Sequence, residues 1–197
     1  PMIYHRSREF KDILKEIKKL ISELLETKNE ILVLTSSATG AMESIIRSCV
    51  EEKVLCIANG EFGRRFYEIA ISNSKDAELL DFGDGRGINY ETVAYKLMQN
   101  KFDAVAFVSN ETSTGIENDL DALRVIIDSA SPSTLLLADA VTAAFGTRID
   151  VNKADALLFG TQKALALPPG LSILIANKKA LTKAEHNKNK GYYFDLT

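Results

Sequence analysis

Ile31-Leu32-Val33-Leu34-Thr35-Ser36-Ser37-Ala38-Thr39-Gly40-Ala41-Met42-Glu43-Ser44-Ile45-Ile46 is the stretch on which the fold turns. Its first five residues are apolar or β-branched with no polar alternation, so Ile31 to Thr35 predicts a strand covered on both faces. Small hydroxyl residues and a glycine follow, and from Gly40 to about Glu51 the apolar residues take helical spacing. A helix that leaves the end of such a strand and shields one of its faces is what a parallel sheet requires.

The same unit recurs downstream. Val54 to Ala58 predicts a strand and Phe62 to Asn73 a helix; Ala77 to Asp81 and Tyr90 to Gln99 repeat the pair, as do Ala104 to Val108 and Leu120 to Ala130. Leu135 to Ala138, Ala156 to Phe159 and Leu171 to Ala176 complete the strands. Upstream, Phe10, Ile13, Leu14, Ile17, Leu20, Ile21, Leu24 and Leu25 recur every three or four residues, which predicts an amphipathic helix over residues 8 to 26 whose apolar face packs. The polar segment Lys183 to Lys190 reads as a surface loop, with His186 solvated in it. The fold class expected is α/β, a mostly parallel sheet sandwiched by helices.

At 197 residues and 46% hydrophobic content the chain suffices for one substantial core, in one domain or at most two small ones. A net charge of −3 with acids and bases interspersed offers no basic stripe to a phosphate backbone, so nucleic acid is not an expected partner. No apolar run approaches the roughly 18 residues of a membrane span. Pro1-Met2-Ile3-Tyr4-His5-Arg6 lacks the layout of a signal peptide, and a soluble, cytoplasmic protein is expected. Cys49 and Cys56 stand in apolar contexts without metal-ligand spacing to His5 or His186; they read as reduced, buried thiols, with no metal site. The partner expected is a small molecule or another copy of the chain. A start at proline and an end in Tyr192-Tyr193-Phe194-Asp195-Leu196-Thr197 suggest a piece of a longer polypeptide.

Ligands of open α/β sheets gather at the carboxyl ends of the strands, and five strand ends here carry chemistry. Ser37, Ala38 and Thr39 offer backbone N–H groups, hydroxyls and the positive end of a helix dipole to a phosphate, or simply cap that helix. Phe62, between Gly60 and Gly63, is a flat stacking surface or a core anchor. Ser109-Asn110-Glu111-Thr112-Ser113-Thr114-Gly115 is a polar loop able to bond a polar ring substituent or a phosphate, or an ordinary turn. Leu135-Leu136-Leu137-Ala138 delivers Asp139, a carboxylate with no neighbouring cation in sequence; a protonated pyridine nitrogen would answer it, and a turn aspartate is the plainer alternative. Ala154-Asp155-Ala156-Leu157-Leu158-Phe159-Gly160-Thr161-Gln162-Lys163 runs a buried strand into a lone amine. Desolvation there would lower the lysine pKa and free the lone pair that a Schiff base needs; otherwise the side chain snorkels to solvent.

In order and wording these residues resemble the class V aminotransferases of fold type I, in particular the alanine–glyoxylate and serine–pyruvate branch. The phrases that carry it are His5-Arg6-Ser7, Thr35 to Glu43, Asn59-Gly60-Glu61-Phe62-Gly63, Asn110 to Gly115, Asp139-Ala140-Val141 and Gly160-Thr161-Gln162-Lys163-Ala164, with Pro168-Pro169-Gly170 close behind. The resemblance runs nearly end to end. It implies pyridoxal 5'-phosphate as cofactor, Lys163 as the catalytic lysine that carries it, Asp139 on the pyridine nitrogen, and Phe62 and Val141 on the two ring faces. Ser37, Ala38 and Thr39 would hold the phosphate with help from Gln162, and Thr112 the ring hydroxyl region. The chain departs from many relatives at Phe62, where they carry tryptophan or tyrosine, and at Ser37, where they carry glycine, which bears on cofactor affinity rather than identity.

The resemblance also implies that residues 1–197 form the cofactor-binding large domain of a homodimer, with the helix from Arg8 to Glu26 a candidate for the interface. The family's small C-terminal domain, with its carboxylate-gripping arginine, and its extreme N-terminus are not in these residues. Transamination between alanine or serine and glyoxylate or pyruvate is the expected activity. A lyase or desulfurase of the same fold is an alternative that needs a mobile-loop cysteine, and a non-catalytic diverged subunit is another.

Overall fold

Described over residues 2–197, the computed structural model alternates strands and helices in chain order: α1 (Arg8–Leu24), β1 (Glu30–Leu34), α2 (Ala38–Cys49), β2 (Lys53–Ala58), α3 (Glu61–Ser72), β3 (Asp76–Asp81), α4 (Tyr90–Gln99), β4 (Ala104–Val108), β5 (Asn110–Glu111), β6 (Ile116–Glu117), α5 (Leu120–Ala130), β7 (Leu135–Asp139), β8 (Ala156–Gly160), β9 (Ser172–Ala176) and α6 (Lys178–His186). Seven strands form one sheet in the order β1-β9-β8-β7-β4-β2-β3, and β5 with β6 makes a small separate hairpin. The pairs β8·β7, β7·β4, β4·β2 and β2·β3 are parallel, while β9 runs antiparallel to both β1 and β8. Six strands therefore share one direction and β9 alone is reversed. That puts the carboxyl ends of β1, β2, β4, β7 and β8 on a single edge.

The strands alternate between two cores, one on each face. Leu55, Ile57, Phe107, Leu136, Leu157 and Ile175 meet Val93 and Leu97 of α4 and Leu123 and Ile127 of α5. Val54, Cys56, Leu137, Leu158 and Leu174 meet Met42, Ile45 and Ile46 of α2, Phe66 and Ala70 of α3, and Ala180 and Ala184 of α6. Strands β4, β7, β8 and β9 are buried throughout, which is why they read as unbroken apolar runs. The edge strand β3 ends in exposed Asp76 and Asp81, charges of the kind that discourage another strand from pairing there.

Two expectations fail. Residues 183 to 186 are not loop but the last turn of α6, which starts on the Asn177 side chain accepting from Ala180 N–H at 3.0 Å and buries only Ala180 and Ala184. Its few apolar positions, Ala180, Leu181 and Ala184, are outnumbered by lysines and other polar residues, so the segment reads by composition as a polar loop. His186 is exposed at its end. Helix α1 forms where expected, capped by Ser7, yet Ile21 is its one buried residue; Phe10, Ile13, Ile17, Leu20 and Leu24 stay exposed, so most of its stripe does not pack. Its main contact with the sheet is β1, and a single edge strand is too narrow to cover a stripe that spans its length.

Candidate active site

A cavity of about 230 Å3 opens at the carboxyl edge, lined by Ser37, Ala38, Thr39, Met42, Phe62, Arg65, Val108, Thr112, Asp139, Val141, Gln162 and Lys163. All nine residues singled out from the sequence line it, drawn from the ends of β1, β2, β4, β7 and β8. Met42, Arg65 and Val108 join them without having been expected. Met42 lies three residues after Thr39 and Arg65 three after Phe62, so each shares a helix face with a residue already chosen. Val108 pairs in register with Asp139. A larger cavity of about 510 Å3 at the opposite edge includes Lys53, Lys179 and Lys183 in its wall. Those amines are engaged: Lys53 with Asp76 and Glu78, Lys179 with the carbonyls of Pro132 and Thr134, Lys183 with Glu51 and Asp103.

Asp139 closes β7 at the floor of the smaller cavity and is 4% exposed. Its carboxylate accepts Val141 N–H at Oδ1, 2.7 Å, and no salt bridge reaches it among the described residues. Burial pushes its pKa up to about 7; the Glu111 charge adds to that, while the Val141 hydrogen bond, Arg65 and Lys163 oppose it. A buried carboxyl left short of a cation on a cavity floor is a seat for a ligand's N–H⁺.

On one wall α2 begins. Ser37 is its N-cap by backbone conformation but makes no side-chain cap, and no acidic residue stands in the first turn. The N–H groups of Ala38 and Thr39 therefore face an N-terminus with its positive partial charge uncompensated. Gly40 lets the turn form, since a Cβ there would lie 2.8 Å from Ser36 Cβ and 3.2 Å from the Phe194 ring. A phosphate or carboxylate fits this end by hydrogen bonding and by dipole alike.

Phe62, in the first turn of α3, and Val141, two residues past Asp139, supply apolar walls, with the Arg65 guanidinium 4.6 Å from the Phe62 ring centre. Thr112 hydrogen-bonds the Thr142 hydroxyl, which joins the loop after β4 to the loop after β7.

Gln162 and Lys163 stand in the segment after β8. Thr161 anchors that segment: its hydroxyl donates to Pro168 O at 2.8 Å, its N–H to Leu171 O at 3.2 Å, and Leu167 N–H returns to Thr161 O at 3.1 Å. Ala166 takes a left-handed φ of 52°, and its N–H closes a turn on Lys163 O. Lys163 itself is exposed, which overturns the expected apolar, desolvated setting. The apolar run of β8 ends at Gly160, and Gln162 to Ala164 lie beyond the sheet with their side chains in contact with solvent.

Both cysteines are free and buried, Cys49 at the end of α2 and Cys56 within β2, as expected. Burial drives each thiol pKa up to about 12, so neither is an available nucleophile. None of the helices among the described residues is long and apolar enough to cross a membrane.

Residues 2–196 match the family model described as Aminotransferase class-V. A Helicobacter pylori (strain J99) protein named only as an uncharacterized aminotransferase is 30% identical over the whole chain, which covers 53% of it. The serine–glyoxylate aminotransferase of Arabidopsis thaliana is 30% identical over 94% of this chain and 47% of its own length. The crystal structure of alanine–glyoxylate aminotransferase from Nostoc sp. superposes with a TM-score of 0.93 at 26% identity, over 100% of this chain and 53% of that one. The chain spans about half the length of the curated relatives it matches.

Proposed function

The chain belongs to the class V aminotransferases, and from that premise we propose that it binds pyridoxal 5'-phosphate in the carboxyl-edge cavity and moves an amino group from alanine or serine to glyoxylate or pyruvate. The observation that carries the reading is Asp139, a buried carboxyl with no cationic partner of its own, on the floor of a cavity with an amine at one side and an open helix N-terminus at another. Relatives that act on glyoxylate support the choice of acceptor: the serine–glyoxylate enzymes of Arabidopsis thaliana and Methylorubrum extorquens and the L-aspartate–glyoxylate enzyme of Paracoccus denitrificans.

Bound pyridoxal phosphate supplies an aldehyde that takes up an amine and a ring that accepts the electron pair left when a Cα proton departs. Each surrounding residue has a task that follows from its chemistry. Asp139 holds a proton on the ring nitrogen, and that cation answers the burial which otherwise disfavours its ionised form. Phe62 and Val141 cover the ring faces and exclude water. The N–H groups of Ala38 and Thr39, the hydroxyls of Ser37 and Thr39 and the Gln162 amide hold the phosphate. Thr112 bonds the ring hydroxyl. The Lys163 amine would carry the cofactor and would serve as the base for the proton on the substrate Cα.

In this proposal residues 1–197 are the cofactor-binding large domain, and the remainder of the polypeptide supplies the grip on the substrate carboxylate. The homodimer implied by the resemblance belongs to the proposal too, and the exposed face of α1 is apolar surface of the kind that such an interface covers. The desulfurase alternative finds no support, because both thiols are buried within regular elements, Cys49 in α2 and Cys56 in β2. The test is turnover by the full polypeptide with pyridoxal phosphate, alanine or serine as donor and glyoxylate or pyruvate as acceptor, read as 2-oxo acid formed. Lys163→Ala should lower it by about 10⁴-fold or more; a variant with unchanged turnover would refute the assignment.

A further inference from the structure

Three acidic side chains are buried among the described residues. Asp155 is answered by Arg124 at 3.0 Å, and Asp139 is the ring-nitrogen carboxylate of the proposed site. Glu111, 0% exposed at the end of the short strand β5, has neither a salt-bridge partner among the described residues nor a catalytic task.

What it has is hydrogen bonds. Its Oε2 accepts Phe62 N–H and Gly63 N–H, 3.0 Å each, and its Oε1 accepts the N–H and the hydroxyl of Ser113 at 3.1 and 2.7 Å. Ser113 Oγ in turn accepts Glu61 N–H at 3.0 Å. Three successive N–H groups at the start of α3 thus end on side chains from a different strand connection. The N-cap of α3 is Gly60, which has no side chain to cap with. A Cβ at that position would lie 2.5 Å from both Glu111 Cγ and Ser113 Oγ, so the absence of one is what admits the carboxylate. Beneath this contact Asn59 and Asn118 exchange side-chain hydrogen bonds at 2.8 and 3.2 Å, and Asn118 donates to Val108 O at 2.8 Å. The junctions that follow β2 and β4 are tied together in two layers.

These junctions carry Phe62 and Thr112, which line the cavity from separate elements. We propose that Glu111 is a positioning residue: its two oxygens, one on each loop, hold the ring-stacking Phe62 and the polar Thr112 in fixed relation to each other and to the ring between them. The inference rests on the pyridoxal phosphate reading of the cavity. Glutamine is the informative replacement because it keeps the shape but has one acceptor oxygen. Its NH₂ must turn toward either the Phe62 and Gly63 donors or the Ser113 donors, so one loop is released whichever way it lies.

The experiment compares the full polypeptide with its Glu111→Gln variant in three measurements: pyridoxal phosphate affinity, visible circular dichroism of the bound cofactor at saturation, and amide hydrogen exchange at Phe62 and Gly63. Glu111→Gln should weaken affinity about tenfold, as expected for hydrogen bonds to a charged group, change the dichroism of the bound ring and speed exchange at the two amides. Ser113→Ala, which keeps the charge but removes the hydroxyl that donates to Glu111 and accepts Glu61 N–H, should weaken affinity about threefold, change the dichroism and speed exchange at Glu61, and serves as the test if Glu111→Gln does not fold. Faster exchange with unchanged affinity and dichroism would make Glu111 a helix cap and nothing more, overturning the proposal. Failure of the unaltered polypeptide to bind the cofactor would instead sink the reading of the cavity, and this inference with it.

Discussion

Helices α2 and α3 begin side by side at the same edge, each just past a strand that ends there, and among the described residues they are the two α-helices whose N-cap makes no side-chain bond; α1, α4, α5 and α6 are capped by Ser7, Asn89, Asp119 and Asn177. The N-terminus of α3 is closed from outside by Glu111 and Ser113. That of α2 is left open, with hydroxyls on either side and no acid in its first turn. The buried carboxyls of Glu111 and Asp139 differ in the same way, since four donors satisfy Glu111 and one satisfies Asp139. Where the chain spends its own acceptors it builds a rigid wall, and where it withholds them it leaves binding capacity for an external anion and an external N–H⁺.

Closing the open end should have the largest effect. Ser37→Asp places a carboxylate where the phosphate would sit, and like-charge repulsion of about 4 kcal/mol at close range corresponds to roughly a 10³-fold loss of pyridoxal phosphate affinity. The same substitution should stabilise the cofactor-free protein by about 0.3–1 kcal/mol through the helix dipole. Titration calorimetry and urea unfolding read the two signs independently; affinity that survives the substitution would remove α2 from the site.

A smaller effect is expected at Asp139, and it depends on pH. The folded-state pKa lies above the ordinary carboxyl value of 3.8, at about 7, chiefly through burial, so the folded cofactor-free protein holds a proton that the unfolded chain has released. Its contribution to stability is complete below about pH 4, declines as pH rises from there to about 7, and is absent above. Asp139→Asn keeps the acceptor for Val141 N–H and removes that decline. It should stabilise the cofactor-free protein at pH 8 by roughly 1–4 kcal/mol relative to pH 4, while weakening cofactor binding. Parallel stability curves for the two proteins between pH 4 and 8 would show that Asp139 is not strained in this way.

Much of this contrast is legible in the order of residues alone. Four of the five strand ends stand out because β2, β4, β7 and β8, buried on both faces, read as apolar runs, so the first polar residue after each run marks the edge, as Asp139 does after Leu135 to Ala138; β1, an edge strand, reads the same way although it is only partly buried. The reversal of β9 is not legible, since an unbroken apolar run carries no direction. Nor is the role of Glu111: its partners are 48 and 49 residues away, and a glycine at the α3 cap signals only that some other group must do the capping. Periodicity locates α1 but does not reveal that its stripe stays exposed, because amphipathicity identifies a face without identifying what covers it. The place of Lys163 in the chain singles it out, whereas its exposure is hidden, because a run of apolar residues before an amine does not enclose that amine.

Every role proposed around the cavity depends on where pyridoxal phosphate attaches. Borohydride reduction of the cofactor-saturated full polypeptide, followed by peptide mass mapping, should find a phosphopyridoxyl group on Lys163 and none in the Lys163→Ala variant. A saturated protein with the adduct on any other lysine, or with no adduct at all, would contradict that attachment and the roles built on it.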